Sequence, residues 1–214
     1  MKFYGQFNPP VDKVLYERYF MNKTNGTSIE CGAFDGLLEN CTKFFEENLS
    51  WNTINIEPLP HIFEKLKLNR PTSINKNVAL SNNNGKNKIR VYDIQGYGIN
   101  NTNASLCHLA QHKKILEKWS DNKYKEFEIN TITYSTLIIE QQIKTLDLFV
   151  LDVEGHEYEV IDGMKDARVF PRVFVIEHGH RSPEDIANKL KVLPVSYKLD
   201  FISHVNSYFV RIDE

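Results

Sequence analysis

Three short stretches of the chain concentrate residues able to bind or to move protons. The first, "SIECGAFDG" (residues 28–36), sets Glu30, Gly32, Asp35 and Gly36 at the end of an apolar run. The second, "LDVEGHEYE" (151–159), carries Asp152, Glu154, His156 and Glu157, and the third, "IEHGHRS" (176–182), carries Glu177, His178, His180 and Arg181. Each follows a strand-like segment, and in open α/β sheets ligands bind at the carboxyl ends of the strands. Glu57, after the run "NTINI", belongs to the same rim.

The first stretch narrows the ligand. Glycines at 32 and 36 allow a sharp turn and close backbone approach, although the same G-x-x-x-G spacing also serves a plain strand-to-helix connection. It is not the G-x-G-x-x-G of dinucleotide sites, and Glu30 and Asp35 would repel the pyrophosphate that such sites hold at a helix N-terminus. Glu57 is placed to accept hydrogen bonds from ribose hydroxyls. A cationic, phosphate-free nucleoside fits these acids, and S-adenosylmethionine, with its sulfonium, α-amino group and ribose, is such a molecule.

Methyl transfer is an in-line displacement that needs the acceptor opposite the sulfonium and, for a hydroxyl, a group that removes its proton. Asp152 is the candidate for contact with the donor methyl region, with Glu154 as acid/base partner; the plain alternative is that Asp152 caps the turn and Glu154 fixes the following helix. His156 falls in the expected helix and reads as a structural hydrogen-bonder. His178 is preferred to His180 as a catalytic histidine. Asp152, Glu177 and His178 are also suited to hold a divalent ion, but no ligand spacing demands one, so the metal is left open.

Composition excludes some classes. Lysine and arginine total 26 against 28 acids, a net charge of -2, which argues against binding to a nucleic-acid backbone. No apolar run reaches the roughly 20 residues of a membrane span, and the start "MKFYGQFNPPVDK" lacks a signal-peptide centre, so a cytoplasmic location is expected. Cys31, Cys41 and Cys107 show no C-x-x-C spacing, so neither a disulfide frame nor a thiolate zinc site is indicated.

The elements that position these residues alternate. Helical spacing predicts a helix from near Asp12, another through "ENCTKFFEEN", and a third over "PHIFEKLKLN". Strands are expected at "TSIECG", "NTINIEP" and "SINKNVAL". Period-two alternation in "NKIRVYDI" and "EFEINTITY", around an ambiguous piece at "LAQHKKILEKW", marks a β insertion. The apolar "TLDLFVL" suits a central parallel strand, followed by a helix over "HEYEVIDGM", the strand "RVFVIEHG", a helix at "SPEDIANKL" capped by Ser182, and a closing pair "VSYKLDFI" and "SYFVRID". The whole reads as one α/β domain, residues 1–214, with a three-layer sheet of mixed direction. Its insertion, 86–134, is expected to shape the acceptor site through Ser105, its asparagines, and Tyr92 or Tyr97 stacking on a sugar face. The basic run from His112 to Lys118 is a solvated helix surface or a contact for a phosphorylated or nucleotide-linked sugar.

These stretches resemble the FkbM-type S-adenosylmethionine-dependent methyltransferases over nearly the whole chain. The likeness runs through "DKVLYERYF", "SIECGAFDG", "IEP", "NRP", "NVALSN" and "TLDLFVLDVEGHEYEVIDGM" to the strand ending in Glu177. It implies a Rossmann-like class I fold, with a central mixed, mostly parallel sheet of about seven strands, helices on both faces and a β insertion. By the resemblance, Glu30, Gly32 and Ala33 line the methionine portion, Glu57 holds the ribose, and Asn77 and Ala79 border the adenine. Asn40 and Thr42 match the family's S-N-T element, with Glu39 in place of the serine, and Val11 stands where the family often has glutamine before the helix aspartate. The cofactor set is then Glu30, Gly32, Ala33, Asp35, Asn40, Glu57, Pro58, Asn77, Ala79 and Asp152, under an N-terminal helical lid, residues 1–26. The catalytic set is Asp152, Glu154 and His178. The expected reaction is O-methylation of a sugar or glycan-precursor hydroxyl, in polysaccharide biosynthesis, with a small-molecule acceptor. Rivals are N-methylation of a small amine or amide, a nicotinamide-dependent oxidoreductase, and a non-catalytic nucleoside-binding module.

Overall fold

The run Leu148–Leu151 has no polar face, and a strand of that kind is stable only with both sides covered. In the computed structural model, which describes residues 1–179 and 181–212, this run is the fully buried strand β7 near the centre of a seven-stranded sheet. The order is β3 (Ile74–Lys76), β2 (Asn52–Ile56), β1 (Thr27–Cys31), β7, β8 (Val173–Glu177), β10 (Asn206–Ile212), β9 (Ser196–Ser203). Of these strands only β10 runs against the others, pairing antiparallel with both β8 and β9.

Alternation along β7 assigns each side its layer. Leu148 and Val150 pack with α1 (Val11–Tyr19) and α2 (Lys43–Leu49), through Val14, Leu15, Phe44 and Phe45. Phe149 and Leu151 face α5 (Tyr134–Glu140), α6 (Glu157–Asp162) and α7 (Pro183–Leu190). Helix α3 (Pro60–Asn69) puts Ile62 into a third cluster with Ile89, Val91 and Ile129 of a smaller sheet, β4 (Ala79–Leu80), β6 (Tyr124–Ile132), β5 (Gly85–Tyr92). Helix α4 (Ala110–Trp119) occupies the piece whose pattern was ambiguous. No helix among the described residues is long and apolar enough to cross a membrane.

Several local expectations change. "SINKNVAL" is two strands in different sheets, β3 against β2 and β4 against β6, because the chain leaves one sheet for the other at Asn77–Val78. Strand β6 stops at Ile132, and Tyr134, taken as the end of "EFEINTITY", instead opens helix α5: the Thr133 side chain caps it by accepting from Thr136 N at 3.0 Å, and its apolar residues bury against β7. Helix α2 begins only at Lys43, since Asn40–Thr42 form its entry turn, and His156 sits at the cap of α6 rather than inside it. Ser182 caps α7 as expected, in a capping box with Asp185.

Strand order reverses between β1 and β7, where an open α/β sheet forms its crevice. Cys31 and Leu151 are in register there, and Asp152 N donates to Cys31 O at 3.0 Å. The two strand tips therefore touch directly, and all three chemistry-bearing stretches stand on one rim.

Candidate active site

Glu30 lies on β1, and its carboxylate is fully engaged inside the protein. Oε1 accepts from Cys41 N at 2.7 Å and Oε2 from Thr42 Oγ1 at 2.5 Å. Burial pushes its pKa up to about 6, with these hydrogen bonds and the Arg70 charge opposing. Asn40 completes the same turn, its Oδ1 accepting from Lys43 N at 2.8 Å and from Arg70 Nη1 at 2.8 Å. Asp35 acts as a local cap, Oδ1 accepting from Leu37 N and Leu38 N at 2.9 and 2.8 Å.

Gly32 is where side-chain size is decided. Its φ is +92°, and a Cβ there would lie 1.9 Å from the carbonyl oxygen of Asp152. Gly36 has a packing role instead, since its Cβ would strike Arg70 and Leu66 of the α3 region.

Glu57 ends β2. Oε1 accepts from Leu59 N at 2.8 Å, and burial, against backbone hydrogen bonds from Leu59 and Phe34, lifts its pKa to about 8. Asn77 donates through Nδ2 to Glu57 O and Pro58 O, at 2.9 and 3.0 Å, and so shapes the turn behind the carboxylate.

Between these tips lies a cleft enclosing about 960 Å³ with its open mouth included. Glu30, Gly32, Glu57, Pro58, Ala79 and Asp152 line it, and so does Glu154. Ala33, Asp35, Asn40 and Asn77 stand behind its wall rather than on it. Ile56, Leu80, Ile89 and Phe34 supply apolar surface. Thr102, Ala104, Ser105 and Leu106 bring the insertion to the wall, whereas of residues 1–26 only Gln6 reaches it.

The β7 and β8 tips carry the other acids. Asp152 and Glu177 have hydrogen-bonded carboxyl groups, and loss of water plus mutual repulsion holds Glu177 well above the ordinary carboxylate range. Asp152 keeps solvent contact through the cavity yet is ringed by protein, so it is a group sunk beneath the rim, not a core residue. Desolvation, then Asp152, Glu157 and Glu39, raise Glu154 as well. Glu154 has φ +56° and Gly155 φ +108°, a strained turn held by the insertion: a Cβ at Gly155 would meet Cys107 O at 2.8 Å, and Ser105 Oγ donates to Val153 O at 3.1 Å. Neither this turn nor its docking has a signature in the sequence beyond the single glycine.

A second depression adjoins the first, sharing Glu154 and Glu177 with it and adding Glu157, His112 and His178. His112 Nδ1 is 3.4 Å from Glu154 Oε2, so the basic run on α4 contributes a partner for an acid. His178 lies in this second depression, its Nδ1 3.0 Å from Ser207 Oγ, with burial lowering its pKa. His156 pairs through Nε2 with Ser81 Oγ at 3.1 Å. His180 lies outside the described residues. Tyr92 is 1% exposed and unable to stack on an acceptor, and Tyr97, 70% exposed, lines neither depression. Among the described residues no group of three or more His, Cys, Asp or Glu is arranged to hold a metal ion.

The family model described as "Methyltransferase FkbM domain" matches residues 30–210. The chain belongs to the FkbM methyltransferase family. A solved structure of methyltransferase FkbM from Methylobacillus flagellatus KT aligns with a TM-score of 0.53 at 14% identity, covering 94% of this chain and 48% of that one. The chain therefore spans about half the length of that solved FkbM relative, and the likeness is one of fold. The Methanococcus jannaschii fibrillarin pre-rRNA processing protein aligns with a TM-score of 0.48 at 11% identity, over 96% of this chain and 74% of that one. A search of curated proteins finds no match.

S-adenosylmethionine suits the donor groups of this FkbM-family cavity. Glu57 offers an acceptor beside apolar Pro58, Ala79 and Ile89, the combination a nucleoside needs, and the far wall is carboxylate-rich where a sulfonium and an ammonium would lie. Of Glu39, Asp152, Glu154, Glu157 and Glu177, only Glu154 and Glu157 stand within ion-pair distance of a basic side chain among the described residues, His112 at 3.4 Å and Arg181 at 4.0 Å. Glu39 and Gln6 are wall residues that sequence reasoning did not select. Glu39 was visible only as a departure from the family serine.

Proposed function

We propose that this chain binds S-adenosylmethionine at the β1, β2 and β7 tips and transfers its methyl group to a hydroxyl of a sugar or glycan precursor seated in the adjoining depression. The observation that carries the reading is the carboxylate-lined cavity, whose acids outnumber their basic partners among the described residues and which opens through Glu154 and Glu177 onto a second depression. When bound, the cofactor supplies an electrophilic methyl on a positive sulfur. Glu57 holds the ribose hydroxyls, the backbone from Glu30 to Gly32 borders the methionine portion, and Asp152 faces the sulfonium region. Glu154 and His178 orient the acceptor and relay its proton. Glu30 contributes by fixing the turn at Cys41 and Thr42.

The acids of the second depression disfavour a phosphorylated or nucleotide-linked acceptor and favour a neutral polyol. They equally accommodate an ammonium group, which supports N-methylation as a second reading. Calorimetric titration with S-adenosylmethionine, S-adenosylhomocysteine and NAD tests the cofactor: binding of the first two and not the third is expected, and absence of binding by both overturns the reading. Labelled methyl transfer to a panel of neutral sugars, sugar nucleotides and amines, with and without chelator, then separates the acceptors. Binding without transfer to any hydroxyl or amine in a broad panel would favour a nucleoside-binding module.

A further inference from the structure

Among the described residues, the β7 and β8 tips hold more negative side chains than basic groups within ion-pair distance of them. Asp152 ends β7, Glu154 sits in the strained turn after it, and Glu157 begins α6. Glu177 ends β8 and hydrogen-bonds Asp152, while Glu39 approaches from the turn before α2. Among the described residues the groups facing them are few. His112 reaches Glu154 from α4, and Arg181 is spent on Glu157, on Gly155 O at 3.2 Å and on the Tyr158 ring. His178 pairs with Ser207, and His156 with Ser81. Glu30 and Glu57, on the next two strand tips, bind backbone donors of their own.

Asp152 and Glu177 directly follow the paired Leu151 and Ile176 on neighbouring strands, and two carboxyl groups held side by side favour sharing one proton, because a carboxylate accepts hydrogen bonds and only a carboxylic acid donates one. The same two groups line the cavity, and Glu177 also lines the acceptor depression. We propose that the Asp152–Glu177 pair is a charge-exchange base: it gives up its shared proton when the sulfonium enters the cavity and takes up the acceptor's proton as methyl transfer removes that charge. The proposal rests on the cofactor reading above and adds Glu177 to the groups that act in the reaction.

The step balances. The acceptor O–H bond breaks and an O–CH₃ bond forms, the S–CH₃ bond breaks with its electron pair left on sulfur, and the proton goes to the carboxylate pair. A sulfonium and a carboxylate become a neutral thioether and a carboxylic acid, so the net charge of the site is unchanged. The pair lines a cavity that a bound ligand would close off from water, and unbalanced charge in such a desolvated site is strongly unfavourable. Arrival of the sulfonium draws the proton off, and its loss restores proton affinity at the moment the acceptor releases one.

The test needs no acceptor. S-adenosylmethionine and S-adenosylhomocysteine are titrated calorimetrically into the whole chain in buffers of differing ionisation enthalpy, which counts the protons released. At neutral pH the methylated cofactor is expected to release roughly one proton more than the demethylated one, and its affinity to rise up to about tenfold per pH unit while the other stays flat. In Glu177→Gln the difference in proton count is expected to vanish and the affinity ratio of the two cofactors to fall about tenfold; Asp152→Asn serves as the second variant. Equal proton release by the two cofactors in the unaltered chain overturns the proposal. Failure of both to bind overturns the cofactor reading instead, so the two failures are distinct.

Discussion

Glu30 and Glu177 are both acids at strand tips on one rim, yet they live under opposite conditions. Glu30 has a donor for each oxygen, Cys41 N and Thr42 Oγ1, with Asn40 and Arg70 closing the same turn. Glu177 has another carboxyl as its partner, with Glu154 and Glu157 adding to its repulsion. The first carboxylate has a structural role even though it borders the cavity, because each of its oxygens is already held by a protein donor. The second is costly to ionise until a cation arrives, which is what a site reserved for a cationic ligand looks like before binding.

The largest expected effect comes from forcing the two tips apart. Gly32→Ala places a methyl 1.9 Å from Asp152 O at a positive φ, so β1 and β7 cannot keep their register. A loss of ~4 kcal/mol or more is expected in chemical denaturation, with cofactor binding abolished. Near-native stability would mean that the tips are not in contact.

Removing one acid from each region should separate their roles. Glu30→Ala leaves the Cys41 and Thr42 donors buried without an acceptor, for an expected loss of about 3 kcal/mol in a denaturant titration. Glu177→Gln replaces a carboxyl that desolvation and neighbouring acids push toward its neutral form by a neutral isostere, so stability should stay within about 1 kcal/mol of the parent. Equal destabilisation by the two would erase the distinction between a structural and a functional acid.

Stability against pH sharpens the same contrast for Glu57. Its pKa is about 8 in the folded chain and about 4.3 in an unfolded one, so between those values the folded state binds the extra proton. The favourable contribution is whole below about pH 4 and is lost as pH rises through 8. Glu30 acts with the same sign, but its part is gone by about pH 6. The melting temperature of the ligand-free chain is expected to fall from pH 5 to pH 8, and Glu57→Gln to flatten the upper part of that slope; a melting temperature rising over this interval would contradict the assignment.

Much of this rim was legible in the residues, and the reasons differ from element to element. Leu148–Leu151 announced a central strand because four consecutive apolar residues admit few other uses, and Ser182 announced a helix start because its hydroxyl and Asp185 satisfy each other's backbone. Helix α5 went unassigned because its Leu-Ile-Ile run packs equally well on a sheet face or within one, and only the Thr133 cap decides. At the site, sequence located the acids but not their partners. Whether Glu30 faces a ligand or the turn at Cys41 depends on residues 11 and 12 positions away, and no local pattern encodes that contact. Glu39, Gln6 and His112 reach the cavities through loop paths and the docking of the insertion, which periodicity does not describe.

The smallest expected effect falls on Asp35, which lies in the first chemical stretch and belongs to neither region. Its Oδ1 accepts from Leu37 N and Leu38 N, satisfying amides of the turn that carries the chain from β1 toward Asn40. Asp35→Ala removes that cap and should cost about 1 kcal/mol, read as a small drop in melting temperature. Cofactor affinity should stay within about twofold, since Asp35 does not line the cavity and the donors to Glu30 stand five residues and more beyond it. A loss of affinity of tenfold or more, with unchanged melting temperature, would move Asp35 into the group of acids that face the cation and enlarge the functional region to include the β1 turn.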